Sequence, residues 1–168
     1  PDMKLRKAMM DILEQPKEKS GLTALLGDIY ALDPESDLMR LIHAADNVRG
    51  TFSYPLQIQD CGTLEEYQKL SGREVLITRS PMSAVSIRQT ARRLGCKGLY
   101  LPAVMDYAGI RRELETAAQT LGTSVEQAGI SFEEEEKQCD LLCELGCDEM
   151  QGVLFGCPLS REEFEARM

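Results

Sequence analysis

Apolar positions recur along this chain with two different spacings, and the spacing changes near residue 50. Before that point it is mainly helical. Leu5, Ala8, Met9, Ile12 and Leu13 fall on one face of a first helix, which Pro16 ends within the polar stretch 15–20. The stretch 22–32 is apolar but interrupted by Gly27, and its pattern assigns it to no element. Asp33-Pro34, a capping residue before a proline, predicts the start of a helix carrying Leu38, Leu41, Ile42 and Ala45. Residues 1–50 therefore read as a helical N-terminal segment.

Beyond residue 50, short apolar runs alternate with helical stretches. The runs lie at 52–58, 74–78, 98–101, 124–130 and 152–155, and each precedes a helix with a readable start. Thr63 with Glu66, Ser131 with Glu134 and Ser160 with Glu163 are capping boxes, Ser80-Pro81 supplies a cap and a first-turn proline, and Asp106 caps another helix. Ala84, Ile87, Ala91 and Leu94 form one stripe, as do Leu141, Leu142 and Leu145. Gly72, Gly95, Gly122 and Gly146 stand where left-handed caps would close four helices. The expected class is α/β: repeated βα units forming a parallel sheet or a partial (β/α) barrel, with a helical N-terminal segment. A full (β/α)₈ barrel takes roughly 200 residues or more, so five units make at most part of one.

Composition narrows the partners more than it names them. A chain of 168 residues with 43% apolar content is long enough for one domain, or for one domain with an appendage. The formal charge of −9 argues against nucleic acid or an anionic membrane as partner, since both require clustered Lys and Arg. No run approaches about 18 apolar residues and no signal peptide is visible in the sequence. The chain begins at Pro1 without a methionine, as a piece of a longer protein would. Six cysteines in an acidic chain without a secretory signal are expected as reduced thiols in a cytoplasm.

The stretch 144–164, ELGCDEMQGVLFGCPLSREEF, changes the picture. It resembles the closing segment of EAL-type domains, the (β/α)-barrel phosphodiesterases that hydrolyse cyclic di-GMP. Leu145, Gly146, Cys147, Asp148, Gln151, Gly152, Leu154, Phe155, Pro158, Leu159, Glu163 and Phe164 fall in register, with Val153 where an aromatic is usual. The likeness thins toward the N-terminus. The run 125–132 (VEQAGISF) matches a strand at Gly129 and Ile130, with Ala128 replacing its glutamate. Residues 98–104 (GLYLPAV) place Pro102 at an aspartate, and 75–81 (VLITRSP) place Thr78 and Arg79 at the metal-binding pair of aspartates. Residues 56–60 (LQIQD) place Asp60 at a terminal glutamate; 73–80 (REVLITRS) is an alternative register for that strand. No Glu-Ala-Leu signature and no Asn-bearing early strand occur, so residues 51–168 read as a degenerate EAL-like domain. Residues 37–50, with Ala45-Asp46 closing a Leu-rich helix, resemble the tail of a GGDEF-type (diguanylate cyclase) domain, so 1–50 reads as a remnant of another domain.

What the resemblance implies is a fold without its chemistry. Two-metal phosphodiester hydrolysis needs several carboxylates at the carboxyl ends of barrel strands. The residues expected there are Asp60, Thr78, Arg79, Pro102 and Ala128, and one carboxylate does not hold two divalent ions. The expectation is no catalytic residue, no metal and no cofactor. Asp60, Gln151 and Pro158 remain as ligand-binding candidates, the last two at family positions that line the nucleotide pocket. The expected role is a catalytically inactive regulatory module in cyclic di-GMP-type signalling, acting by protein–protein interaction or nucleotide sensing. Its partners would be cyclic di-GMP, a second protein or a second copy of the chain. The alternative is a metal-dependent phosphodiesterase completed by a partner chain or a further segment.

Other constellations point less far. Cys139, Cys143 and Cys147, spaced by four, and Cys157 before Pro158 do not form the tight Cys-x-x-Cys knuckle of a metal site. His43 is the single histidine and leaves no Ser or Cys nucleophile with a base. Residues 133–136, four glutamates, suit a helix N-terminus and a solvated face, with a basic partner as the sharper alternative. Arg88, Arg92, Arg93, Arg111 and Arg112 on two predicted helices are candidates for phosphate contact. No glycine-rich phosphate loop is present.

Overall fold

A computed structural model describes residues 2–28, 31–50, 54–104 and 107–132. The elements run α1 (Asp2–Asp11), β1 (Gly21–Leu25), α2 (Asp37–Arg49), α3 (Leu64–Lys69), β2 (Arg73–Thr78), α4 (Ala84–Leu94), β3 (Lys97–Tyr100) and α5 (Tyr107–Leu121). The strands form one parallel sheet in the order β1-β2-β3. In register, Thr23 faces Val75 and Val75 faces Lys97. The class expected from the sequence, α/β with a parallel sheet, is the class observed.

Strand β1 comes from the apolar stretch that its pattern left unassigned. Leu22, Thr23, Ala24 and Leu25 are all buried, so no polar face marks the period of two. A strand covered on both sides reads as a continuous apolar run. The helical N-terminal segment thus also supplies a strand that pairs with β2.

Two runs expected as strands are not strands. In 52–58, of which residues 54–58 are described, only Gln57 bridges to Leu25. One oxygen of Asp60 accepts the amides of Leu56 and Gln57, both at 3.0 Å, and the chain turns into a short 3₁₀ segment, Ile58–Asp60. A side chain that takes the amides competes with any sheet partner. In 124–130, the Ser124 hydroxyl accepts from Gln127 N at 3.2 Å and Ala128 N donates to Ser124 O at 3.2 Å. That run is a helical turn begun by a serine cap, not a strand. The described residues therefore hold three strands; the run 152–155 and residues 133–168 generally lie outside them.

Helices cover both faces of the sheet. Val75 and Ile77 face a core with Leu38, Leu41, Ile42 and Ala45 of α2 and Ala117 and Leu121 of α5. Leu76 points the other way, into a core with Met10, Tyr67, Leu70, Ile87 and Leu94 from the side of α1, α3 and α4. The alternation is the strand's period of two. The α4 stripe is buried as its spacing predicts, with Ala84 only half-buried.

Local starts and stops follow the sequence with three exceptions. Thr63 and Glu66 make the expected reciprocal capping box of α3, and Gly95 and Gly122 end α4 and α5 with positive φ. The α2 cap is Ser36, whose Oγ accepts from Met39 N at 3.4 Å; Asp33 instead closes a turn by accepting Glu35 N at 2.9 Å. Ser80 makes no capping bond, and Pro81 opens the 3₁₀ turn Pro81–Ser83 that leads into α4. Gly72 has no positive φ, but a Cβ there would lie 3.0 Å from Glu18 O and 3.1 Å from Ser20 Cβ, so close passage of the chain requires it.

Helix α1 is rotated from its expected phase. The buried side chains are Arg6, Met10 and, just beyond the helix, Leu13, whereas Leu5 is 62% and Ile12 48% exposed. The shift of one position, about 100°, brings the helix end under Arg93. That guanidinium donates to the carbonyls of Met10 and Leu13, while Arg6 donates to the carbonyl of Gly27. The polar anchors fix the rotation that the apolar pattern alone misassigns.

Candidate functional site

Parallel strands deliver their following loops to one edge of the sheet, and ligands of open α/β sheets bind there. Leu26 N donates to Ile77 O at 2.8 Å and Leu101 N donates to Thr78 O at 2.9 Å, so the three chain exits leave side by side. Gly27-Asp28 follows β1, Arg79-Ser80 follows β2 and Pro102-Ala103 follows β3. Between them opens a cavity of about 410 Å³ walled by Arg6, Asp28, Gln57, Gln59, Arg79 and Ser80, with Leu25, Leu32 and Ala103 as its apolar side. A second cavity of about 360 Å³ shares Arg6, Asp28 and Gln59 and extends past Leu5, Met9 and Tyr67.

Asp28 is the acidic group at this edge. Its Oδ2 accepts the Arg79 amide at 3.1 Å. Burial pushes its carboxyl above the usual carboxylate range, against the opposing pull of that amide and of the Arg6 and Arg79 charges. Arg6 is 8% exposed and Arg79 half-buried. Thr78 is buried behind them, its Oγ1 accepting from Ser80 N at 3.2 Å.

The sequence-predicted residues divide. Thr78, Arg79 and Pro102 stand at or just past the ends of β2 and β3, where the family likeness put them. One oxygen of Asp60 accepts the amides of Leu56 and Gln57, while its neighbours Gln57 and Gln59 line the cavity. Ala128 lies in the turn after α5 and packs against the core on the α2 and α5 side. Gln151, Pro158, the four C-terminal cysteines and the acidic run 133–136 lie outside the described residues. Asp28 and Arg6 were missed. Gly27-Asp28 closing an apolar run was a readable strand exit; Arg6, a cation on what becomes the buried side of α1, left no signal.

The five arginines do not converge. Arg88, Arg92 and Arg93 belong to α4, and Arg111 and Arg112 to α5, which packs with α2 against the opposite face of the sheet. Arg111 pairs with Glu115 at 3.2 Å and lies 5.2 Å from the centre of the Phe132 ring. His43, half-buried on α2, does not line the cavity. Burial raises the thiols of Cys61 and Cys96, which disfavours reactive thiolate. Among the described residues no three His, Cys, Asp or Glu side chains are placed to hold a metal ion, and no helix is long and apolar enough to cross a membrane.

In comparisons with known proteins, no family model, no curated protein and no solved structure matches the chain.

Proposed function

We propose that this chain is an EAL-like regulatory module of cyclic di-GMP-type signalling that has lost its hydrolytic chemistry, acting by protein contact or by sensing a nucleotide. The observation that carries the reading is the composition of the strand ends. Thr78 and Arg79 close β2, Pro102 follows β3, and among the described residues Asp28 is the one carboxylate lining the cavity. The pair of divalent ions that the resemblance implies does not fit this set, because such ions take several carboxylate oxygens each. Two guanidiniums at the same place would repel a cation and attract a phosphate. Support for the family part lies in the sequence segment 144–164. A partial barrel remains part of this proposal rather than of the observed three-stranded sheet.

Calorimetric titration with cyclic di-GMP, with and without Mg²⁺, tests the reading. Binding of equal strength under both conditions is expected of a nucleotide sensor, and no binding leaves the protein-contact mode. Binding that requires Mg²⁺ contradicts the proposal.

A further inference from the structure

Among the described residues, the cleft holds more positive than negative charge. Arg6 is 8% exposed; its Nη1 donates to the Gly27 carbonyl, while its Nε is buried without a hydrogen-bond partner. Among the described residues no carboxylate comes within ion-pair distance of the Arg6 or Arg79 guanidinium. A buried hydrogen bond left unmade is costly, and more so for a charged group. Asp28 offsets at most one of the two charges. Its Oδ2 accepts the Arg79 backbone amide, and burial raises its carboxyl against the pull of both guanidiniums. In a chain of net charge −9, two cations against one carboxylate among the described lining residues are a local reversal of sign.

We propose that this cleft binds a phosphorylated small molecule, whose phosphate engages the Arg6 and Arg79 guanidiniums while its uncharged body rests on Leu25, Leu32 and Ala103. The planar guanidinium fork suits a phosphate's paired oxygens. Neutral donors stand beside it. Ser80 follows Arg79, and Gln57, whose Oε1 accepts Leu32 N at 3.0 Å, donates its amide NH₂ to no described residue. The cavity, about 410 Å³, lies within the roughly 300–1,000 Å³ of small-molecule sites and is larger than a bare phosphate needs. The site shares Arg79 with the strand ends of the EAL-like reading, whereas Arg6 and Asp28 match no position of that likeness.

The test is titration of inorganic phosphate and, separately, of a nucleoside 5′-monophosphate into the full chain at low ionic strength, with sodium chloride as the ionic control. Both probes are expected to bind once per chain, the monophosphate more tightly. Arg79→Met removes a guanidinium that makes no hydrogen bond to a described residue, so its melting temperature should match the wild type. Its affinity for both probes should fall about tenfold to a hundredfold. Arg6→Gln should weaken both probes similarly. Absence of phosphate binding, binding unchanged in Arg79→Met, or equal displacement by chloride overturns the proposal. Equal affinity for the two probes overturns the role given to the apolar wall.

Discussion

Replacing Arg73 by methionine is expected to remove about 3–5 kcal/mol of folding stability, since two buried hydrogen bonds from a charged donor are lost, at about 1.5–3 kcal/mol each. Arg73 is 1% exposed at the start of β2. Its Nη1 donates to Ser20 O at 2.8 Å and its Nη2 to Pro55 O at 2.6 Å. One guanidinium thereby fixes the entry to β1, the start of β2 and the segment before Leu56. Methionine fills similar space but leaves both carbonyls without that donor. Asp46, 2% exposed on α2, is the carboxylate whose charge acts on Arg73, although one of its oxygens has no partner. The two are not equivalent. Burial raises the Asp46 carboxyl above 3.8, outweighing the attraction of Arg73, His43 and Arg49.

That direction fixes a sign. The folded chain holds the Asp46 proton more tightly than the unfolded chain does. Its contribution to stability is therefore present below about 3.8 and is lost as pH rises through the higher folded value. Asp46→Asn should remove that component, so the difference in stability between variant and wild type shifts in the variant's favour as pH rises from about 4. Urea unfolding at several pH values measures both variants. A loss of less than about 1 kcal/mol in Arg73→Met would contradict its anchoring role.

Gly27→Ala should cost about 2–4 kcal/mol, combining a left-handed backbone penalty with overpacking. Gly27 has φ +79, and an added Cβ would lie 2.6 Å from Met10 Cε and 2.7 Å from Ser83 Cβ, overlapping Ser83 Oγ as well. Those neighbours are held. Ser83 Oγ donates to Gly27 O at 3.1 Å, and the same carbonyl accepts from Arg6. Gly95 supplies the control, because it has φ +67 but no atom within 4 Å of an added Cβ. Gly95→Ala should therefore show the backbone penalty alone, about 1–2 kcal/mol. Equal losses in the two variants would mean that the contacts beneath the cleft contribute nothing. Because Gly27 precedes Asp28 and carries the acceptor of Arg6, Gly27→Ala should also weaken phosphate binding.

The sequence was legible where one local rule acted alone. Thr63 and Glu66 satisfy each other within four residues, and the α4 stripe is buried as spaced. Strand β2 alternates Val75 and Ile77 against Leu76, and is found within a residue of its expected bounds. It was illegible where tertiary partners decided. β1 has no polar face to reveal its period, and α1 is turned by Arg6 and Arg93 finding carbonyls distant in sequence. The runs at 52–58 and 124–130 have strand-like composition, but Asp60 and Ser124 take backbone amides that a ladder would need.

The site followed the same division. Thr78, Arg79 and Pro102 stand at or just past strand ends because β2 and β3 lie within a residue of their expected bounds. Asp28 was missed with β1, and of Asp60, a ligand-binding candidate, one carboxylate oxygen is engaged by the backbone.

Incubating the purified chain with cyclic di-GMP and either Mg²⁺ or Mn²⁺, then separating the nucleotides by anion exchange, tests the loss of hydrolysis most directly. Full recovery of the cyclic dinucleotide is the expected result. Metal-dependent appearance of the linear dinucleotide, absent without protein, would contradict it.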